Sequence, residues 1–321
     1  MRVVVALGGN ALLRRGEPAD ASVQLDHVHA AAQALAPLAR DHDLVICHGN
    51  GPQIGLLALE SQTDPALRRP YPLDVLGAAT QGLIGYWLAQ SLRNAGVTRP
   101  VAGIVTQVLV DPADPAFTRP TKFVGPGWDH DLARRLAEQF GWTVAADGTA
   151  WRRVVASPEP LRLIEQDTIS ALSRTGAVVI CGGGGGAPVV ADAEGRLTGV
   201  EAVVDKDLTA ALLAITLDAD RLLVLTDVPA VMRDFGTPRA TPLSHLDVVA
   251  ASHRAFPAGS MGPKIDACRR FAVRTGRGAA IGALADAAAV LAGTAGTAIT
   301  LPRAADPFAA CVPQGARPWR T

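Results

Sequence analysis

The feature that most constrains the fold is an apolar run, a helical pattern and a second apolar run in direct succession near the start of the chain. Residues 3–7 form a β-branched run, residues 23–40 carry apolar side chains at helical spacing, and residues 44–47 form the next run. A strand, a helix and a strand joined in this order make a right-handed crossover, which sets the two strands parallel. Strands that are apolar throughout are covered by helices on both faces. The sequence therefore predicts an α/β protein with a mainly parallel sheet.

Later segments extend this pattern. We expect strands at residues 101–110, 177–181, 222–225, 279–281 and 298–301, and helices at residues 76–92, 129–139 and 165–173. The helix at 76–92 is expected to pack against the sheet or against a partner subunit. The strand at 222–225 ends in residues 226–229, and a loop is expected from there to about Pro257.

Three of the predicted strands run into loops that contain glycine. These loops lie at residues 8–10, 48–53 and 182–186, and the last is a run of five glycines. In open α/β sheets, ligands bind at the carboxyl ends of the strands, where glycine lets the backbone come close to them. A flexible linker is the alternative interpretation of residues 182–186. The apolar strand before the run and the apolar residues after it favour an ordered loop.

A charged triplet stands at the start of another helical pattern. Asp205, Lys206 and Asp207 precede apolar residues at helical spacing, so an aspartate can cap the free amides while Lys206 lies near the positive end of the helix dipole. A lysine beside free backbone amides suits a phosphate group. A solvated helix cap with an incidental lysine is an equally good interpretation of this segment alone.

Lysine is scarce in this chain, and Lys122, Lys206 and Lys264 all stand in turns or at helix starts. The sequence contains neither the GxxxxGK[ST] motif of P-loop enzymes nor GxGxxG followed by a ribose-binding acid. It also lacks the GxSxG and HExxH motifs of hydrolases and metalloproteases. A phosphate site built from glycine loops and lysines remains the best prediction.

Charge and cysteine content exclude several other classes of protein. The 321 residues contain 30 basic and 30 acidic side chains, a balance that suggests neither a nucleic-acid surface nor an acidic tail. No segment approaches the roughly 20 apolar residues needed to span a membrane. Cys47, Cys181, Cys268 and Cys311 are scattered without a CxxC pair, which argues against a zinc site and a disulfide framework and fits a reducing cytoplasm. We expect these cysteines to be small buried apolar residues. The apolar N-terminal run is interrupted by glycine and is interpreted as a strand, not as a signal peptide.

The order of motifs resembles that of the carbamate kinases in the amino acid kinase superfamily. The resemblance covers most of the chain and rests on VVALGGNAL at 4–12, HGNGPQIG at 48–55, PLDVLGAATQGLIGYWL at 72–88, TQVLVDPADPAF at 106–117, PTKFVGP at 120–126, WRRVVASPEP at 151–160, CGGGGGAPVV at 181–190, GVEAVVDKD at 199–207 and FPAGSMGPKI at 256–265. It implies phosphoryl transfer between ATP and carbamate, giving carbamoyl phosphate and ADP, with Mg²⁺ accompanying the nucleotide. It also implies a homodimer and a three-layer α/β/α sandwich around a mainly parallel sheet, with a small inserted lid subdomain.

The resemblance also assigns regions of the chain. Residues 1–175 correspond to an acceptor (carbamate) lobe that contains a lid at about 117–155. Residues 176–302 correspond to a nucleotide-binding lobe, and residues 303–321 to a flexible tail.

Site roles follow from the same resemblance, position by position. Lys206 and Lys264 resemble the lysines that bind phosphate, Asp207 resembles the aspartate that organises them, and Lys122 resembles the lysine carried by the lid. The transferring phosphoryl group is expected to lie over Gly8, Gly9 and Asn10, and the acceptor beside Gly49, Asn50 and Gly51. The nucleotide-binding positions are Gly182, Gly183, Gly184, Asp205, Thr226, Asp227, Met261 and Gly262. No protein ligand to a metal is expected.

Relatives outside the carbamate kinases often have a lysine before the first glycine pair, where this chain has Ala6 and Leu7. Lys206 is expected to supply that charge. Carbamate is already an oxyanion, so its attack on the terminal phosphate needs no general base. His48 is therefore interpreted as a hydrogen-bonding loop residue.

The inserted segment is expected to move. Prolines at its boundaries can make it swing as one body, bringing Lys122 to the phosphoryl group when substrate is bound and excluding water. The alternative is a surface decoration with Lys122 in solvent.

Two other functions stay open at this stage. One is a kinase of the same superfamily that acts on another small carboxylate; the lack of an arginine in residues 50–55 favours the smaller acceptor. The other is a nucleotide-sensing regulator without turnover, against which the presence of all three lysines argues.

Overall fold

The computed structural model of the chain describes residues 1–14, 16–253 and 261–302. Its helices are α1 (Ala21–Asp41), α2 (Gly51–Thr63), α3 (Leu73–Asn94), α4 (His130–Phe140), α5 (Gln166–Arg174), α6 (Lys206–Thr216), α7 (Val248–His253), α8 (Met261–Thr275) and α9 (Ala287–Ala292). Its strands are β1 (Arg2–Leu7), β2 (Asp43–His48), β3 (Val101–Gly103), β4 (Gln107–Leu109), β5 (Lys122–Trp128), β6 (Thr143–Asp147), β7 (Ala150–Val155), β8 (Arg162–Leu163), β9 (Val178–Ile180), β10 (Ala187–Ala191), β11 (Leu197–Gly199), β12 (Arg221–Thr226), β13 (Met232–Arg233), β14 (Thr241–Pro242), β15 (His245–Asp247), β16 (Ala279–Ala283) and β17 (Thr297–Thr300). Single 3-10 turns lie at Gly9–Ala11, Pro115–Phe117, Gly183–Gly185 and Leu284–Asp286.

An eight-stranded sheet runs through the protein in the order β15-β17-β16-β12-β1-β2-β9-β3. Only the β16–β17 pair in this sheet is antiparallel. The chain crosses from β1 through α1 to β2 on one side, whereas β12 pairs with β1 on the other. The sheet therefore has its topological switch point beside β1, and ligand sites are expected outside the strand ends there.

Helices cover both faces of this sheet. Alternate residues of β1, such as Val3 and Val5, pack with α1, α3 and α9, while Val4 and Ala6 pack with α5, α6 and α8. The strands are apolar on both sides because both sides are buried. The predicted three-layer α/β/α sandwich is confirmed.

Two predictions about secondary structure were wrong. Residues 101–110 were predicted as one strand, but β3 pairs in the main sheet and β4 in a second sheet of order β11-β10-β4-β8. The chain turns between them, where the Thr106 amide donates to the Gln81 side chain instead of to a strand. The region after Pro229, predicted as a loop to about Pro257, contains β13, β14, β15 and α7. The strands here are two or three residues long, too short to produce a periodic pattern.

The predicted lid is a separate small sheet of order β5-β7-β6 with α4 against it. The expected hairpin is formed by β6 and β7. Trp128 stacks on Trp142, and Arg153 lies over the ring of Trp142 at 4.7 Å, so aromatic contacts supply much of the small core of the lid. An apolar cluster joins the lid to α2 and α3; it contains Ile54, Ala58, Leu73, Leu76, Val124, Val155 and Val203.

The boundary predicted at residue 175 falls inside the main sheet. Strand β9 follows that residue, yet it pairs with β2 and β3, which precede it. The division into an acceptor lobe and a nucleotide lobe remains a prediction. The predicted tail, residues 303–321, lies outside the described residues. No helix in the described parts of the chain is long and apolar enough to cross a bilayer.

Candidate active site

The loops after β1 and β2 meet at the carboxyl edge of the sheet. The Gly8 amide donates to the carbonyl of Leu225 at 2.8 Å, and the Gly49 amide donates to the carbonyl of Leu7 at 3.1 Å. A Cβ atom placed on Gly49 would lie 3.0 Å from Cα of Gly9 and 3.3 Å from Cε of Lys206. Gly49 therefore lies against both the first loop and the side chain of Lys206. Lys206 is close enough to this edge to supply the positive charge that was expected of it. The side chain of Asn10 lies outside the described part of the chain.

Asp207 holds two lysines at this edge. Its Oδ1 accepts from Nζ of Lys206 at 2.5 Å, and its Oδ2 accepts from Nζ of Lys264 at 2.9 Å. The Asp207 side chain is only 4% exposed. Burial alone would raise the pKa of Asp207, but the two lysines hold it well below its usual value. The same carboxylate raises the pKa of Lys264 against the effect of burial. Burial lowers the pKa of Lys206, and the charge of Asp207 opposes that effect.

Asp205 joins the lid to α6. Its Oδ1 accepts from the amides of Asp207 and Leu208, at 2.9 and 3.3 Å, and so caps α6. Its Oδ2 accepts from Nζ of Lys122 at 2.5 Å. The Lys122 ammonium, carried by the first residue of β5, therefore lies at the helix start and pairs with a largely buried carboxylate.

We call Lys122, Asp205, Lys206, Asp207 and Lys264 the lysine–aspartate cluster. It gathers three ammonium groups and two carboxylates from β5, from the N-terminal end of α6 and from α8. One positive charge is in excess, next to the positive end of the α6 dipole. The arrangement favours a multiply charged anion.

The five-glycine run is buried and packs closely against His48 and Asn50. A Cβ on Gly183 would lie 2.4 Å from the His48 ring, and one on Gly184 would lie 2.1 Å from Nδ2 of Asn50. Side chains at these positions would collide with the acceptor-side loop. The expectation of an ordered loop is confirmed, and the nucleotide-binding role expected for Gly182, Gly183 and Gly184 stays a prediction.

Hydrogen bonds fix the acceptor-side loop. Nδ2 of Asn50 donates to Oγ1 of Thr80 at 2.8 Å. Nδ1 of His48 lies 2.9 Å from the carbonyl of Gly49, so this nitrogen carries the proton and donates. Burial lowers the pKa of His48 to about 4, which keeps the ring neutral at pH 7. His48 makes the hydrogen bond that was expected of it, but it is the last residue of β2 and not part of the loop.

A further set of polar residues was missed in the sequence. Gln81 binds the backbone of Thr106 on both sides, through Oε1 at 2.9 Å and Nε2 at 3.1 Å. Oγ1 of Thr106 then accepts from the amide of Gly182 at 2.9 Å. Through these contacts, Gln81 of α3 and Thr106 hold the start of the glycine run in place. The signal was the polar pair Thr80 and Gln81 in α3, a helix whose apolar positions the sequence analysis assigned to packing.

The remaining residues expected to bind the nucleotide lie at the end of β12 and at the start of α8. Oγ1 of Thr226 donates to Oδ1 of Asp227 at 2.9 Å and would lie 3.4 Å from a Cβ on Gly8. Met261 and Gly262 begin α8, in the same turn as Lys264. The residues before them, 254–260, lie outside the described residues.

The described residues contain no group of three or more histidine, cysteine or acidic side chains placed to hold a metal ion. Cys47, Cys181 and Cys268 are buried and unpaired, as expected for small apolar residues. Burial raises the pKa of Cys47 to about 12. These thiols are therefore not nucleophiles at neutral pH. Cys311 lies outside the described residues.

Comparison with known proteins gives consistent matches. Residues 1–282 match the sequence model of the amino acid kinase family. The chain is 51% identical over 303 residues to the carbamate kinase of Rhizobium meliloti, an alignment that covers 94% of this chain and 93% of that protein. It is 48% identical to the carbamate kinase of Haemophilus influenzae, covering 94% of this chain and 97% of that protein. The solved structure of carbamate kinase from Giardia lamblia bound to AMP-PNP superposes with a TM-score of 0.84 at 37% identity, covering 94% of this chain and 98% of that one.

Proposed function

The chain belongs to the amino acid kinase family and, within it, to the carbamate kinases, so its reaction is reversible phosphoryl transfer between ATP and carbamate; we propose that the lysine–aspartate cluster carries that transfer. The observation that supports this most strongly is the convergence of three ammonium groups on two buried carboxylates beside the glycine loops. Phosphoryl transfer needs positioned positive charge more than covalent chemistry from the protein.

The acceptor attacks without help from a base. An oxygen of carbamate forms a bond to the terminal phosphorus of ATP while the bond from that phosphorus to the ADP oxygen breaks. Carbamate carries its own negative charge, so no proton has to be removed. Burial lowers the pKa of His48 to about 4, which makes its ring a weak base, and the carboxylates of Asp205 and Asp207 are bound to lysines. Positioning and charge neutralisation account for catalysis.

Each lysine has a separate role in this proposal. Lys206 and Lys264 neutralise the non-bridging oxygens of the transferring group, and Asp207 holds the two ammonium groups at a fixed separation. Lys122 exchanges its contact with Asp205 for the phosphoryl oxygens when the lid closes on substrate. Asp205 reaches the nucleotide side through Lys122, because its own oxygens cap α6 and bind that lysine.

Backbone amides complete the site. Helix α2 starts at Gly51 without a side-chain cap, since the Asn50 side chain is used by Thr80. The first-turn amides can therefore receive the carboxylate of the acceptor. We propose that Gly8, Gly9 and Asn10 lie beneath the phosphoryl group, with Gly49, Asn50 and Gly51 around carbamate.

The nucleotide is proposed to lie on the other side of the cluster. There Gly182, Gly183, Gly184, Thr226, Asp227, Met261 and Gly262 would line its phosphates and base. Mg²⁺ fits as an ion that arrives with ATP or ADP, because the two carboxylates of the cluster are already bound to lysines. When bound, Mg²⁺ neutralises charge on the nucleotide phosphates.

We also propose a homodimer that works in the cytoplasm. Helix α3 leaves Val75 and Tyr86 exposed, the latter at 60%, which favours a partner on this helix. The unpaired thiols fit a reducing compartment. Light scattering after size exclusion tests the dimer, and an apparent mass of one chain would contradict it.

The function is tested by a coupled assay of ATP formation from ADP and carbamoyl phosphate with Mg²⁺, run beside acetyl phosphate and beside a sample with EDTA. Rapid turnover with carbamoyl phosphate alone, abolished by EDTA, is expected. Preference for acetyl phosphate would indicate a kinase for another small carboxylate. Binding of ADP without turnover of either donor would indicate a nucleotide-sensing regulator.

A further inference from the structure

The lid touches α2 through two glycines. Gly55 lies in the second turn of α2, and Gly125 lies in β5, three residues after Lys122. A Cβ atom on Gly55 would lie 1.9 Å from Cα and 2.2 Å from N of Gly125. Both of these are backbone atoms, so no side-chain rotation can make room. The two segments meet backbone to backbone.

Neither side of this contact is free to yield. Gly125 has a φ of +72°, a conformation that favours glycine, and its carbonyl accepts from Nε of Arg152 on β7 at 3.0 Å. On the other side, Gly55 follows Ile54, which is buried in the apolar cluster between lid and helix together with Val124. The contact is therefore held by hydrogen bonds within the lid and by packing beneath α2.

We propose that Gly55 and Gly125 form the closing seat of the lid, and that the lack of side chains there sets how far Lys122 reaches toward the phosphoryl group. The inference rests on the proposed role of Lys122 in phosphoryl transfer. Gly55 is then a positioning residue: it touches no substrate but determines where the ammonium of the lid lies.

The geometry gives the size of the effect. Non-bonded carbon atoms settle about 3.5 Å apart or more, so one methyl group at position 55 would separate the two segments by roughly 1.5 Å. Lys122 lies on the same strand and holds Asp205 at 2.5 Å. A displacement of this size moves the ammonium of Lys122 away from the lysine–aspartate cluster, and misplacement by about 1 Å can lower a rate on the order of 10²-fold.

The test is Gly55→Ala. Alanine is the better helix former, so α2 itself should not be weakened by the change. The matched control is Glu60→Ala, which places the same residue on the exposed side of the same helix. We expect kcat for ATP formation to fall on the order of 10²-fold in Gly55→Ala, with circular dichroism and ADP affinity unchanged, and no change in Glu60→Ala.

A double-mutant cycle with Lys122→Ala separates positioning from general damage. If the seat sets the reach of Lys122, replacing Gly55 by alanine should cost little more, below about 3-fold, once Lys122 has been replaced by alanine. Multiplicative losses, or near-normal kcat in Gly55→Ala, would overturn the proposal.

Hydrogen exchange tests the closing seat independently of the proposed catalytic function. Faster exchange is expected in residues 122–128 of Gly55→Ala than in wild type, measured on the protein alone and without turnover. Wild-type exchange in this strand would overturn the closing seat even if the enzyme were active. Lack of carbamate kinase activity in the wild type would instead overturn the proposed function and leave the exchange result interpretable.

Discussion

Replacing Asp207 by asparagine is the change that most specifically disturbs the lysine–aspartate cluster. The side chain keeps its shape but loses its charge, and its amide group would face the ammonium of Lys206 or Lys264 as a second donor. Both lysines would remain buried next to each other without their shared counter-ion. At present their Nζ atoms lie 2.5 and 2.9 Å from the two oxygens of Asp207.

The expected magnitudes follow from this geometry. Removing one partner from a buried ion pair costs about 3–5 kcal/mol of the free energy of unfolding. For catalysis, loss of the arrangement that stabilises charge in the transition state should lower kcat by about 10²-fold, or ~2.7 kcal/mol. ADP affinity should change much less, because Asp207 organises the two lysines mainly for the transition state, in which charge is redistributed.

Three measurements check this prediction: kcat from coupled ATP formation, the Kd of ADP by calorimetry and the free energy of unfolding in urea. The lowered pKa of Asp207 adds a pH dependence. Its stabilising effect is present above the pKa of the unfolded carboxyl, about 4, and is lost as pH falls through the folded pKa. The stability gap between wild type and variant should therefore be full at pH 5–8 and shrink in acid. Equal losses in ADP affinity and kcat would refute the reasoning and indicate a direct contact of Asp207 with nucleotide or metal.

Other predictions use the neighbouring residues. Lys264→Ala should lower kcat on the order of 10²-fold or more with an unchanged circular dichroism spectrum, because it removes a fixed positive charge; near-normal kcat would contradict this. Asp205→Asn keeps the cap of α6 but not the ion pair with Lys122, whereas Asp205→Ala loses both; we expect both variants to be slow and less stable, with the free energy of unfolding of the alanine variant lower by about a further 1 kcal/mol. Because the pKa of His48 is lowered to about 4, kcat should show no histidine titration between pH 6 and 8, and a step there that disappears in His48→Gln would contradict the assignment. Lys122→Ala should nearly abolish transfer while ADP still binds, and added hydrogen-exchange protection of the lid is expected with ADP plus carbamoyl phosphate; a silent variant would favour the surface-decoration alternative.

The sheet was predictable because its signals are local. Apolar runs identified β1, β2, β9 and β12 to within one or two residues, and glycine loops follow the first three of them. The prediction failed at residues 101–110, where a turn inside an apolar run separates two sheets. It failed again between β12 and α8, where strands of two or three residues depend on partners distant in sequence.

The site was predictable in its parts and not in its contacts. Asp205, Lys206 and Asp207 were identified from their place at a helix start. Lys264 lies 57 residues from Asp207, so their ion pair follows from the packing of α8 beside α6 and not from any spacing in the sequence. The contact of Gly55 with Gly125 was invisible for the same reason, because each glycine alone is compatible with an ordinary helix or turn.

The most direct test of the lysine–aspartate cluster is kcat for ATP formation from carbamoyl phosphate and ADP in Lys206→Ala, measured on protein whose circular dichroism matches wild type. Lys206 is the lysine that lies against Gly49 of the second glycine loop and pairs with Asp207. A fall on the order of 10²-fold or more is predicted, because a fixed charge is lost from the transition state. Near-normal kcat in the folded variant would contradict the assignment of this cluster as the catalytic centre.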